Sequence, residues 1–420
     1  MSRIKIKNFG PIREGLVEND GWIDINKVTV FIGDQGSGKS TVAKLISTFS
    51  WIEKDIFRMG GSSIKFSQDE DRLKYNLEYH RINKFLNKKT EILYEGDAYN
   101  ITYKAGQNLE IQEVSNSKYT LPKITYFPAE RNFVSAAKII KGGLYGELED
   151  GPDGRINRLL SSGPYLQLWS RSLQEFKEIF MEAKANLREV FHLPISDVDI
   201  EYNDQNDVLY VKGTDYKIPL SDTASGFQSF VPLFVVANYV SGLLNSGEEM
   251  HEIHREYFKN ESAKILNDKN YTEEQKRILL SNLAAQFNAK RIMNIIEEPE
   301  QNLFPTSQQK ALHNLLEHNN AEKENKLIIS THSPYILSAL NNSILAEEVF
   351  EKTGNEIDNY SKEKRVAFAD VSAYKFEDGK IFSIKDEETK LINADAIDSC
   401  SDNINSDFDE LLDLLPGNDD

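Results

Sequence analysis

The stretch Gly33-Asp34-Gln35-Gly36-Ser37-Gly38-Lys39-Ser40 fills the pattern G-x-x-x-x-G-K-[S/T] at every fixed position, and it leaves the chain few ways to fold. Glycines let a backbone wrap an anion with successive N–H groups pointing inward, and a helix that follows aims the positive end of its dipole at the same point. Val28-Thr29-Val30-Phe31-Ile32 is a β-branched apolar run of buried-strand type, and the residues after Ser40 continue as a helix with Val42, Leu45 and Ile46 on its apolar face. Strand, loop and helix in this order make a P-loop. Gly33 to Thr41 are therefore expected to hold the phosphates of ATP, with Lys39 reaching the β- and γ-phosphates and the Ser40 hydroxyl holding Mg²⁺.

Composition narrows the setting. Hydrophobic residues at 40% and charged residues at 28% suit a globular chain rather than a disordered one. The balance of 49 Lys and Arg against 67 Asp and Glu gives a net charge of −18, which repels phosphate backbones over most of a surface. Nucleic-acid binding would need a local basic patch. The two candidates, Arg81 with Lys84, Lys88 and Lys89, and Arg171 with Lys177, Lys184 and Arg188, are laced with acids or apolar residues and read as solvated helix faces. Cys400 is the single cysteine, so neither an intrachain disulfide nor a cysteine metal cluster can form. The first residues alternate like a strand and lack the apolar core of a signal peptide, and the longest apolar stretch, Phe230 to Leu244, is interrupted and short of a bilayer span. A cytoplasmic location and no membrane contact are expected.

Along the chain, Ile4 to Phe9 and Trp22 to Ile25 alternate as strands leading into the P-loop strand, where the sheet is expected to begin. Helical patterning covers about Ser40 to Phe57 and, after Gly60-Gly61, about Gln68 to Asn87. Strand-like pieces follow at Ile92–Tyr94, Tyr99–Tyr103, Leu109–Gln112 and Ile124–Phe127. The expected divisions are 1–131 (first part of an ATPase domain), 132–215 (a helical lobe and short strands), 216–244 (a helix opened by Ser225), 245–290 (a charged helical insertion), 291–375 (second part of the ATPase domain) and 376–420 (small strands and an acidic tail). From Arg291 to Leu340 strands and helices alternate, as in a parallel α/β sheet.

Ile292 to Ile296 leads into Glu297-Glu298-Pro299-Glu300, which sets carboxylates at the end of an apolar strand, where an α/β sheet presents its ligand crevice. This resembles a Walker B motif: Glu297 would support the metal, and Glu298 would orient and deprotonate the attacking water. Leu327 to Ser330 delivers His332 to the same edge, where its ring would hydrogen-bond a γ-phosphate. His251 and His254 stand at metal-ligand spacing, but among Glu248, Glu249 and Glu252 they read as part of a solvated helix.

Ala224-Ser225-Gly226-Phe227-Gln228 opens a helix. By itself it is an ordinary helix start, yet it is similar to the Leu-Ser-Gly-Gly-Gln signature of ABC ATPases and falls in their order of P-loop, signature, Walker B and switch histidine. The chain resembles ABC-type ATPases of the RecF, SMC and OLD group. Ile6 to Ile12, Pro128-Ala129-Glu130-Arg131, Ile296 to Glu300 and Ser330 to Pro334 look like the short bacterial AAA-family members, including ATPase subunits of PARIS and Septu anti-phage systems. The resemblance implies an α/β ABC-type domain with a mostly parallel sheet, antiparallel N-terminal strands and inserted helical lobes. It also implies that Ser225, Gly226 and Gln228 meet ATP held by another subunit, so that ATP joins a homodimer or larger homo-oligomer. Three departures stand out: Glu297 replaces the usual Asp, Glu130 and Arg131 stand where a Q-loop glutamine is expected, and no TOPRIM nuclease is recognisable, Asp407-Phe408-Asp409-Glu410 lacking an upstream partner. A separately encoded nuclease is thus the expected effector; the alternative is a DNA-repair or DNA-management ATPase acting on DNA directly.

Overall fold

Alternation of side chains across apolar strands sets the layering of the protein. The computed structural model describes residues 2–59, 70–135, 169–187, 190–244, 252–268, 271–285, 287–393 and 406. Strands β1 (Ser2–Lys7), β2 (Gly15–Leu16), β3 (Trp22–Ile25) and β4 (Val28–Gly33) come first, then helices α1 (Lys39–Arg58) and α2 (Glu70–Glu78). Next are β5 (Glu91–Glu95), β6 (Tyr99–Lys104), β7 (Glu110–Glu113), β8 (Pro122–Phe127) and α3 (Arg171–Ala185). A small antiparallel sheet of β9 (Phe191–His192), β10 (Asp199–Asn203), β11 (Val208–Lys212) and β12 (Lys217–Pro219) precedes α4 (Ser225–Gly242). Helices α5 (Glu252–Asn267) and α6 (Glu273–Ala285) pack on one another. The chain then forms β13 (Arg291–Glu297), α7 (Pro305–Asn320), β14 (Lys326–Thr331), α8 (Pro334–Thr353), β15 (Val371–Glu377) and β16 (Lys380–Ser383), with a short pair at Lys385–Asp386 and Leu391–Ile392.

The central sheet runs β2-β16-β15-β4-β14-β13-β8, and β15, β4, β14, β13 and β8 are mutually parallel. Val28, Val30 and Ile32 face one core with Phe176, Phe230, Leu315 and Ile336 from α3, α4, α7 and α8, while Phe31 faces the other core with Val42, Leu45 and Phe49 of α1. Helix α1 is buried almost all round because a second sheet covers its far side.

That second sheet corrects the expectation for the N-terminal strands. They do not begin the P-loop sheet; they form an antiparallel sheet of order β3-β1-β5-β6-β7, in which β1 pairs β5 from Arg3↔Glu95 to Lys7↔Glu91. Half-buried strands show the same alternation whichever sheet they join, so the pattern alone does not choose. The expected helix after Gly60-Gly61 is shorter in its described part, stopping at Glu78 before Arg81 takes a φ of 57°. β15 lies beside β4 in the central sheet, pairing Val371 with Val28 through Phe376 with Gly33. His251, Cys400, the Asp407–Glu410 acids, Gly60-Gly61 and Arg188 lie outside the described residues.

Candidate functional site

Register places three motifs at one edge. Thr331 lies opposite Ile32 and Glu297 opposite Ser330, so β4, β14 and β13 end side by side and deliver the Gly33–Ser40 loop, His332 and Glu298 to the same crevice. The loop needs its glycines: Gly33 has φ 145° and a Cβ there would sit 2.4 Å from the Phe376 carbonyl, while Gly38 has φ 111° and closes on Ile12. Asp34, Gln35 and Gly36 are exposed at the loop tip, Ser40 is half-buried, and Thr41 is buried in the first turn of α1.

Lys39 is buried beneath the loop, where its ammonium donates to the Gly33 and Asp34 carbonyls at 2.6 and 2.8 Å. Burial lowers its pKa to about 8, and Glu298, Asp34, Glu300 and Glu297 oppose that fall. Its Nζ lies 3.4 Å from Nδ1 of His332, a residue 293 positions away in sequence, and His332 Nε2 lies 3.6 Å from Glu298 Oε1. Burial also holds the Glu298 carboxyl above its ordinary range. Lys39, His332 and Glu298 thus form one continuous group.

The two carboxylates of β13 are held differently. Glu297 is 4% exposed; its Oε1 accepts the Tyr126 hydroxyl and lies 3.3 Å from Lys44 Nζ, and its Oε2 accepts the Ala129 N–H at 3.4 Å. Glu298 adopts φ 46°, a left-handed conformation rare for a residue with a Cβ, and its N–H donates to the Ser330 carbonyl at 2.8 Å. The side chain of Glu298 is left free to face His332. Glu300 accepts the Thr331 hydroxyl and the His332 N–H, both at 2.8 Å, and so fixes the turn carrying the histidine.

The start of α4 packs on the turn after β13 through Gly226 and Ser229. Ser225 is exposed in the first turn of α4. Gly226 packs so closely that a Cβ would lie 2.8 Å from the Asn302 carbonyl, Asn302 donates to Ser229 Oγ at 3.2 Å, and Gln228 donates to the Ser221 and Thr223 carbonyls.

Sequence reasoning assigned no role to Lys44, Tyr126, Arg131 or Glu300. Lys44 stands four residues after Ser40 on one helix face, a spacing that signals its reach toward the site. Tyr126 had no such signal, because its contact depends on β8 lying beside β13.

Residues 28–338 match the family described as "AAA domain, putative AbiEii toxin, Type IV TA system". No curated protein matches the chain. Similar solved structures include an SMC head bound to the C-winged helix domain of ScpA, with 11% identity over 92% of this chain and 98% of that one, at a TM-score of 0.38. Another is an Smc head with an extended coiled coil, bound to the C-terminal domain of ScpA, from Pyrococcus furiosus (13% identity, 91% and 96% coverage, TM-score 0.35). A third is the SMC head domain from Thermotoga maritima (11% identity, 91% and 97% coverage, TM-score 0.32). These scores are too low for the likeness to bear on this chain.

Proposed function

The chain belongs to the AAA domain family matched by residues 28–338, and on that premise we propose that it binds and hydrolyses ATP at the edge where β4, β13 and β14 end. The observation that carries this is the continuous contact of Lys39, His332 and Glu298, side chains from three separate motifs.

The residues fit a magnesium-bound triphosphate. Ser37 Oγ is buried without a partner, Lys39 is folded back onto its own loop carbonyls, and the space where a Gly36 Cβ would stand is open. Ser40 and Glu297 offer the hard oxygen donors that Mg²⁺ takes. When bound, the ion neutralises charge on the β- and γ-phosphate oxygens.

Lys39 exchanges its two carbonyls for phosphate oxygens, while N–H groups of Gly33 to Thr41 hold the rest of the chain of phosphates. His332 donates to the γ-phosphate. Glu298 takes a proton from water as the water oxygen bonds to the γ-phosphorus; the bond from that phosphorus to the ADP oxygen breaks, and ADP and phosphate leave. Ser225, Gly226 and Gln228 of a second copy complete the site, so that ATP holds two copies head to tail. The exposed first turn of α4 supports this, as do Phe304 and Tyr335, 73% and 52% exposed just beyond the two catalytic strands. In this reading the assembly governs a separately encoded effector of an anti-phage defence system, and a stoichiometric partner recovered on co-expression with neighbouring genes tests it; a chain that purifies alone refutes that part.

The mass of the Glu298→Gln protein, measured by light scattering with and without MgATP, tests the shared site. ATP should at least double the mass, and Ser225→Arg in the same background should abolish the change. A mass indifferent to ATP, or an increase that survives Ser225→Arg, refutes the proposal.

A further inference from the structure

Arg131 is the largest fully buried side chain of the described residues, 0% exposed, and its guanidinium spends its donors on main-chain carbonyls. Nη1 donates to the Glu297 carbonyl at 2.6 Å and to the Pro128 carbonyl at 3.3 Å, Nη2 donates to the Glu298 carbonyl at 2.6 Å, and Nε donates to the Ser229 carbonyl at 3.1 Å. One planar group thus joins the end of β13, the turn after β8 and the first turns of α4. A buried cation is costly unless its donors are satisfied, so an arginine held by carbonyls of three segments fixes their mutual position.

The helix is built to receive it. Pro232 lies inside α4 and has no N–H to give the Gln228 carbonyl; Ser135 Oγ donates to that carbonyl instead, at 2.9 Å. Here the start of α4 is bonded sideways, to Ser135 and Arg131, as well as along its own axis. On the other side, Glu298 holds a φ of 46° with its N–H on Ser330 and its carbonyl on Arg131. Such a conformation persists only where surrounding bonds impose it.

We propose that Arg131 is a positioning residue that couples the seat of α4, and with it Ser225, to the backbone of Glu298, so that docking of α4 on a second copy's nucleotide sets the catalytic carboxylate. The role rests on the ATPase reading for its consequence but not for its geometry. A lysine at 131 keeps the buried charge and loses the fork that spans three segments. A glutamine loses the charge as well.

The test uses the full chain as Arg131→Lys and Arg131→Gln, with ATP turnover, affinity for a fluorescent ATP analogue, thermal melting and amide hydrogen exchange measured together. For Arg131→Lys, kcat should fall at least 10-fold with analogue affinity within threefold of the parent. Exchange should quicken together in the 226–231 and 298–303 amides, and remain unchanged in the 41–50 amides of α1. Loss of protection confined to residues 128–133, uniform loss along the chain, or kcat within threefold would overturn the proposal. If Arg131→Gln does not fold, Arg131→Lys decides alone. If the parent does not turn over ATP, the exchange pattern still decides the role of Arg131 while the ATPase reading falls.

Discussion

Replacing Glu298 by Gln separates chemistry from architecture at this site. The three bonds that hold its strained backbone, from its N–H to Ser330 at 2.8 Å and to its carbonyl from Arg131 at 2.6 Å and from the Gln301 N–H at 3.1 Å, are main-chain bonds that glutamine keeps. The carboxylate's contact with His332, at 3.6 Å between side chains each 36% exposed, is worth less than about 1 kcal/mol. Burial raises the Glu298 pKa, so the folded state already disfavours its charge, and a neutral isostere removes that penalty. Melting temperature should therefore move by under about 3 °C. Loss of a general base costs about 10²- to 10⁴-fold in kcat, or roughly 3–5 kcal/mol at about 1.4 kcal/mol per decade. A coupled assay of ADP release, run at saturating MgATP beside an analogue-binding titration, should show that loss with binding retained. Turnover within threefold of the parent would refute the role of Glu298, and a fall in melting temperature of about 10 °C would refute the account of its backbone.

Other features carry independent predictions. The buried Glu53 carboxylate accepts the Ala98 and Tyr99 N–H groups at 2.6 and 3.2 Å and the Tyr94 hydroxyl at 2.9 Å, so Glu53→Ala should cost roughly 2–4 kcal/mol in urea unfolding; a loss under about 1 kcal/mol refutes the clasp. His313 and His318 are held near pKa 4 by burial, with Lys364 adding to the effect at His313. The unfolded chain takes protons near pH 6.5 that the folded one refuses, so stability should fall as pH drops from about 6.5 towards 4, on the order of 2 kcal/mol per histidine at pH 5. Chemical unfolding at pH 7 and pH 5 should show a smaller loss in the His313→Gln/His318→Gln protein than in the parent; equal losses refute the assignment.

How much of this was legible in the sequence differs from residue to residue. Gly33 to Ser40 dictated strand, loop and helix because backbone N–H groups can wrap a phosphate only where glycine removes the Cβ, and the φ values of Gly33 and Gly38 meet that requirement. The alternation of strands and helices from Arg291 to Leu340 announced a parallel sheet, and β4, β13 and β14 are buried along nearly their whole length, as strands covered on both faces are. Arg131 stood in view within a recognised motif, but its role did not, because its partners are carbonyls that every residue possesses.

By itself, the sequence determined the local elements: a glycine-rich loop at Gly33, carboxylates at the end of an apolar strand, a histidine after the next one, and a helix start at Ser225. Those follow from spacing and side-chain type, which act over a few residues. Tertiary structure alone decided that β1 and β3 join a separate sheet, that Lys44 and Tyr126 clasp Glu297, and that Arg131 ties α4 to Glu298. Each of these depends on which elements lie side by side, a choice made by burial of apolar faces summed over the whole chain rather than by any local pattern.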